Sequence, residues 1–381
     1  MISRRKFVEK AASSAATFAV SPLLMSATNV VQASASDKLS KPFYNSKAEK
    51  WKPPFKFGQG GAPLGGTNGL LVSDEEARKT LENAWEAGMR YYDTSPWYGL
   101  GLSERRFGNL LHRKPREEYV LSTKVGRILT ASSKIPKTGW AQPDSFDYKY
   151  DYSASATRRS IEDSLQRLGI SSIDLVFIHD LSPDNGDMKN NWEEYFDQAA
   201  KGAMPELVKM REEGIIKAWG MGVNTLPPIL KALEVSDPDV HLAACQYTLL
   251  DHEESLEKLF PACEAKGNSI VVGSPLNNGF LAGEDRYNYS GKIPDGFKEK
   301  RAKMEKIAQS YKIDLRTAAL QFCSAPDTVA SVIPGARKEN QPAENVASMQ
   351  VKIPSDFWKE LKQEGLIAKN APEPTEKSTG R

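Results

Sequence analysis

From Phe57 to Ile333 the chain alternates short apolar runs with longer amphipathic ones. The short runs are Phe57–Gly61, Tyr91-Tyr92, Tyr119–Val125, Ile173–His179, Lys217–Val223, Leu242–Gln246, Ser269–Gly273 and Thr328–Ile333. They are too brief for helices and nearly continuous in their apolar content, the pattern of strands buried on both faces. The longer stretches repeat at helical spacing: Asp74–Ala87, Ala154–Leu168, Trp192–Glu213, Leu226–Val235, Glu253–Lys266, Phe297–Tyr311 and Leu315–Ala325. Asp74 and Ser153 stand where N-caps belong, and Gly169 and Gly214 where helices stop. Buried strands alternating with helices predict an α/β fold with a parallel sheet and crossover helices.

Eight such units in one chain favour a closed (β/α)8 barrel of the TIM type in a single domain over an open doubly wound sheet. The boundaries read from the pattern are a leader over residues 1–35, a polar linker over 36–52, the barrel over 53–366 and a flexible tail over 367–381. The stretch Gly58-Gln59-Gly60-Gly61-Ala62-Pro63-Leu64-Gly65-Gly66 lacks GxGxxG spacing, and Pro63 interrupts it. Its glycines predict tight turns and close backbone approach rather than a Rossmann phosphate loop.

The leader changes the charge picture. Arg4, Arg5, Lys6 and Lys10 against Glu9 carry more than the whole formal charge of +2, so the remainder is close to neutral. With 40% hydrophobic and 26% charged residues and no dense Lys/Arg block, disorder and nucleic-acid binding are both disfavoured. Arg4-Arg5 followed by Lys6-Phe7, an apolar stretch from Ala11 to Leu24, and Ala33-Ser34-Ala35 form the order of a bacterial twin-arginine signal. The apolar stretch is too short for a stable membrane anchor. The expectation is periplasmic export through the twin-arginine machinery, with a cytoplasmic enzyme as the alternative. Cys245, Cys263 and Cys323 form no CxxC and have no metal-ligand spacing; each sits in apolar sequence and reads as a buried, inert thiol.

In a barrel the chemistry belongs at the C-terminal ends of the strands. The second strand ends in Asp93, the third reaches Lys124 and the fourth ends in His179, while Tyr98 follows in the loop Thr94-Ser95-Pro96-Trp97-Tyr98-Gly99. Each alone suits a cap, a solvated strand end or a loop aromatic; together they would share one rim. A phenol with pKa ~10 exchanges protons poorly at neutral pH. An ammonium beside it favours the phenolate, and a carboxylate keeps that ammonium charged. Asp93, Lys124 and Tyr98 would thus tune one tyrosine for proton exchange with a substrate oxygen that His179 orients. That suits carbonyl–alcohol interconversion, which needs a hydride carrier.

The run Gly88-Met89-Arg90-Tyr91-Tyr92-Asp93-Thr94-Ser95 through Tyr98-Gly99, with Glu104 and Gly108-Asn109, resembles the aldo-keto reductase signature. So do Ser122-Thr123-Lys124-Val125 and Arg167-Leu168-Gly169 … Ile173-Asp174-Leu175 … His179. The resemblance covers residues 55 to about 350 and implies a barrel that binds NAD or NADP, with Asp93, Tyr98, Lys124 and His179 as a catalytic tetrad. Phe146-Asp147-Tyr148 and Gln246-Tyr247-Thr248-Leu249-Leu250-Asp251 look like the branch of sugar and pyridoxal dehydrogenases, which oxidise cyclic hemiacetals.

By that resemblance Asn224 and Gln246 hold the nicotinamide amide, and Ser274 and Leu276 follow on the same rim. Val223 replaces a common serine, and Gly273 replaces a tyrosine that often stacks on the ring. Gly335, Arg337, Gln341 and Asn345 match the adenosine phosphate segment. Many NADP-preferring members carry Lys at the position of Gly335 and Arg at that of Gln341, so the resemblance implies NAD or dual use. Arg337 is the substitute cation. Trp97 and the insertion from Ile128 to Tyr152, with Trp140, Phe146, Tyr148, Tyr150 and Tyr152, are expected to wall a small carbonyl or sugar substrate. No metal site is expected. A nucleotide-binding sensor or scaffold with little turnover is the alternative function. A glycoside hydrolase would need a second facing carboxylate.

Overall fold

The structure, a computed structural model, describes residues 50–188, 191–289 and 291–380. The expected signal over residues 1–35 and nearly all of the expected linker lie outside the described residues.

The strands are β1 (Gln59–Gly60), β2 (Tyr91–Asp93), β3 (Val120–Val125), β4 (Arg127–Ala131), β5 (Phe146–Tyr150), β6 (Leu175–His179), β7 (Ala218–Val223), β8 (Val240–Ala244), β9 (Ser269–Gly273) and β10 (Val329–Ile333). Eight of them form one parallel sheet in the order β1-β2-β3-β6-β7-β8-β9-β10. Parallel bridges from Phe57 to Val332 and from Gly60 to Gly335 bring the last strand back to the first, so the sheet closes into the expected (β/α)8 barrel. The remaining pair, β4 and β5, is an antiparallel hairpin with Arg127 opposite Tyr150, inserted after β3. The sequence pattern placed an insertion there without resolving its strands.

Alternation along each strand sorts the core into two layers. Tyr91, Val120, Leu175, Phe177, Ala218, Val240, Leu242 and Val271 fill the barrel interior. Tyr92, Leu121, Val176, Ile178, Met221 and Val272 pack outward with the helices. The inward rows continue upward from Tyr91 to Asp93, from Val120 through Ser122 to Lys124, and from Phe177 to His179. Functional side chains therefore inherit the register of the interior. Trp51 and Phe55 pack against the interior cluster, while the Lys50 ammonium reaches Asp237 at 2.8 Å. The packed unit thus starts slightly before residue 53.

The helices are α1 (Asp74–Glu86), α2 (Leu102–Leu111), α3 (Ala154–Leu168), α4 (Trp192–Lys201), α5 (Ala203–Glu212), α6 (Pro227–Val235), α7 (Phe260–Ala265), α8 (Phe297–Ser310), α9 (Leu315–Ser324), α10 (Gln341–Gln350), α11 (Ser355–Gln363) and α12 (Glu376–Thr379). The cap of α1 sits one residue before the expected Asp74: Ser73 accepts from Glu76 N, and Glu76 returns to the Ser73 backbone in a capping box. The long helix expected from Trp192 to Glu213 breaks at Gly202, where a Cβ would meet the Tyr152 carbonyl at 2.6 Å.

The C-terminal segment corrects the expected flexible tail. Ile367, Ala371, Ser378 and Thr379 are buried, and α12 lies against α9. No helix among the described residues is long and apolar enough to cross a membrane.

Candidate active site

Two glycines let the first loop approach the strand ends. A Cβ on Gly61 would meet the Asp93 carbonyl at 2.5 Å, and one on Gly65 would meet the Tyr98 backbone at 2.6 Å. The glycine-rich stretch is thus a spacer that seats Asp93 and Tyr98.

Asp93 and Lys124 form a buried pair, their side chains 3% and 1% exposed. The Lys124 ammonium donates to both Asp93 oxygens at 2.9 and 2.7 Å and to the Thr94 carbonyl at 2.8 Å. Ser122 donates to the same carboxylate at 2.6 Å, so Tyr91 must be the donor in its 3.1 Å bond to Ser122. Burial pulls Lys124 below its ordinary range while Asp93 opposes that pull.

Tyr98 presents its ring face to Lys124, with Nζ 4.8 Å from the centroid. Burial and, next, the Asp93 carboxylate push its phenol well above 10. This corrects the expected tuning, because Lys124 commits its protons to Asp93 and Thr94 instead of lowering the tyrosine. The resting phenol is an acid that holds its proton.

His179 meets Tyr98 edge to face at 5.6 Å. Its Nδ1 lies 3.1 Å from Ser95 Oγ and 3.5 Å from an Arg127 nitrogen. Arginine can only donate, so Nδ1, which faces Arg127, is the acceptor, and the proton sits on Nε2, which faces Asp180 Oδ1. Burial, then Lys124 and Arg127, hold the imidazole well below 6.5 and hence neutral.

These residues open into one cavity of about 770 Å³, which also reaches Trp97, Trp140, Tyr148, Asn224, Ser274, Leu276, Gly335, Arg337, Gln341 and Asn345. All four tetrad candidates line it, and so does every expected cofactor position except Gln246. Gln246 instead donates to the Asn224 carbonyl at 2.5 Å, bracing the loop that carries Asn224. Gln341 accepts from the backbone N–H groups of Arg337 and Lys338 at 2.9 and 3.1 Å. At Gly335 a Cβ would strike Pro63 at 2.6 Å, so close packing explains the missing lysine there.

Of the aromatics in the insertion, Trp140 and Tyr148 line the cavity beside Trp97. Trp97 meets Tyr148 at 4.7 Å and Trp140 at 5.8 Å, and Trp140 meets Tyr98 at 5.7 Å. Phe146, Tyr150 and Tyr152 are absent from the cavity lining; Tyr150 accepts from Arg127 Nε at 3.1 Å and Tyr152 donates to the His179 carbonyl at 3.1 Å. Sequence reasoning gave no role to Arg127 or to Asp180, which form an ion pair at 2.9 Å beside His179. The available signal was a lone arginine just past a strand and an acid just after the histidine. The three cysteines are buried and free, as expected, and burial pushes Cys245 and Cys263 up to about 12.

Residues 56–364 match the aldo/keto reductase family. The chain belongs to that family. It is 37% identical to a D-threo-aldose 1-dehydrogenase of a Pseudomonas species, over 81% of this chain and 94% of that one. It is 35% identical to a pyridoxal 4-dehydrogenase of Microbacterium luteolum, over 82% and 94%. An aldo-keto reductase of Klebsiella pneumoniae in complex with NADPH shares the fold at a TM-score of 0.58 and 18% identity, covering 86% of this chain and 99% of that chain.

Proposed function

We propose that the protein is an NAD(P)-dependent oxidoreductase that interconverts an aldose-like hemiacetal or aldehyde with its oxidised or reduced partner. The observation that carries this reading is the buried Asp93–Lys124 pair, with Lys124 against the face of Tyr98 and neutral His179 alongside, all lining one cavity of about 770 Å³.

The cavity's chemistry fits a dinucleotide. Asn224, Ser274 and Leu276 line one part, with Gln246 bracing Asn224 from behind; Gly335, Arg337, Gln341 and Asn345 line another and offer a cationic, amide-rich setting. The cofactor, when bound, supplies or accepts the hydride. In reduction Tyr98 gives its proton to the substrate oxygen while His179 Nε2–H holds that oxygen in line. In oxidation the same phenol oxygen takes the proton back. Lys124 and Asp93 keep a fixed, paired charge under the ring. Gly335, packed on Pro63, and Gln341 leave Arg337 and Lys338 as the cations for a 2′-phosphate, which supports NAD or dual use.

The substrate class draws on the aldose and pyridoxal relatives and on the Trp97–Trp140–Tyr148 wall. The test is nicotinamide absorbance during incubation with aldoses, pyridoxal and simple aldehydes, with each nucleotide in turn. Lactone formation dependent on nucleotide is expected; bound nucleotide without turnover would favour a sensor.

Residues 1–35 support export by the twin-arginine route. An exported dehydrogenase would need to carry its nucleotide, bound before translocation and released slowly. Cell fractionation with a release-rate measurement tests this, and release faster than turnover would overturn it.

A further inference from the structure

Arg127 carries a full charge yet is only 5% exposed. Its guanidinium lies 4.4 Å from the Trp97 ring centroid and 4.8 Å from that of Tyr150. Nε donates to the Tyr150 hydroxyl at 3.1 Å, and Nη1 to Asp180 Oδ2 at 2.9 Å. The acid is held as firmly. Asp180 adopts a left-handed φ of 45°, costly for a non-glycine residue. Its carbonyl accepts from Asn185 at 2.8 Å, and its N–H donates to the Gly222 carbonyl at 2.9 Å.

A buried ion pair is a weak source of stability, because desolvation offsets most of the attraction. A strained, clamped carboxylate on a cavity wall therefore asks for another role. Oδ2 is occupied by Arg127. Oδ1 makes no hydrogen bond among the described residues; His179 Nε2 lies 3.5 Å from it, beyond good hydrogen-bond length. Asp180 and His179 both line the cavity with Tyr98 and Trp97. An acceptor oxygen on the cavity wall, beside the histidine and within the same lining as Tyr98, suits a ligand whose reacting carbon adjoins a hydroxyl-bearing carbon.

We propose that Asp180, fixed by Arg127, accepts a hydrogen bond from the substrate hydroxyl next to the reacting carbon. The site then selects ring sugars and other vicinal hydroxy-carbonyl compounds over plain aldehydes. The proposal rests on the oxidoreductase reading above and names the group that sets its substrate class. Asp180 is a specificity determinant, and Arg127 is the positioning residue that aims it.

The experiment pairs each free aldopentose and 6-deoxyhexose of a panel with its 2-deoxy form. Turnover is followed through kcat and KM, and binding through the change in intrinsic fluorescence of the seven tryptophans, of which Trp97 and Trp140 line the cavity. Loss of the hydroxyl lowers kcat/KM by roughly 10²-fold or more in the wild type, chiefly through KM, since a site built around a hydroxyl rejects the analogue lacking it. Asp180→Asn lowers kcat/KM for the hydroxylated sugar far more than for its deoxy partner, so the ratio collapses. Equal loss on both sugars would assign Asp180 a merely structural role and overturn the proposal. Wild-type indifference to the 2-hydroxyl would overturn it while leaving the oxidoreductase reading intact. If no sugar is turned over, that reading fails instead, and the binding ratio still decides the role of Asp180. Should Asp180→Asn fail to fold, the wild-type ratio alone decides.

Discussion

Lys124 directs its ammonium protons at Asp93 and Thr94, and both charged partners are out of water. Removing one charge strands the other. Lys124→Met is expected to lower stability by about 3–5 kcal/mol, and pairing it with Asp93→Asn should recover part of that. Urea unfolding of the single and double variants measures both. Asp93, Tyr98, Lys124 and His179 were legible because barrel geometry assigns strand ends a role before any contact is known. Arg127 and Asp180 were not. An arginine two residues past a strand reads as solvated until Trp97 and Tyr150 are seen to flank it. The phenol's proton affinity was misread for a related reason: proximity of Lys124 was legible, but the direction of its hydrogen bonds was not.

At the scale of elements, the β4–β5 hairpin is attached to the barrel rather than part of it. Its far end carries Trp140, and Asp144 ties it back to Arg105 at 2.6 Å. Replacing residues 132–143 with an Asn-Gly turn should leave the thermal midpoint near that of the wild type. It should raise the substrate KM about tenfold, the loss of roughly one aromatic contact, with nucleotide affinity retained. Steady-state kinetics and a nucleotide binding titration separate the two. Helix α2 shows why one element escaped the pattern. Of its ten residues only Arg105 and Asn109 are not buried, while the polar Ser103, Glu104 and Arg106 are, so its buried face does not read as apolar in the sequence. Glu104 inside it bonds Arg167 at 2.6 Å and Thr123 at 2.7 Å, a structural use of a residue that the motif singled out. Gly202 was invisible as a break because its close approach to Tyr152 is tertiary.

Across the whole molecule, three of the four histidines are buried and each accepts a hydrogen bond that a protonated ring would lose. His179 accepts at Nδ1, His241 accepts from Met221 N at 3.1 Å, and His252 accepts from Ala368 N at 3.0 Å. Burial lowers all three, His241 to about 3. The unfolded chain takes up protons below pH ~6.5 while the native rings stay neutral, so stability is full above that pH and falls beneath it. Each histidine contributes a slope approaching about 1.4 kcal/mol per pH unit until its native pKa is reached. Unfolding followed from pH 7 to pH 5 should show this decline, and His241→Asn should make it shallower. A flat profile would contradict it. The closed barrel was legible from eight short apolar runs. The packed C-terminus was not, because residues 371–380 offer no apolar periodicity and are held by Ser378 and Thr379 against α9.

The central claim is that the Tyr98 hydroxyl moves the substrate proton. No group among the described residues bonds that hydroxyl, so Tyr98→Phe removes one oxygen without stranding a partner. The decisive measurement is kcat of Tyr98→Phe on the best aldose, with nucleotide affinity titrated in parallel. A fall of about 10²–10⁴ in kcat with nucleotide affinity unchanged is predicted. Wild-type turnover in the variant would contradict the account.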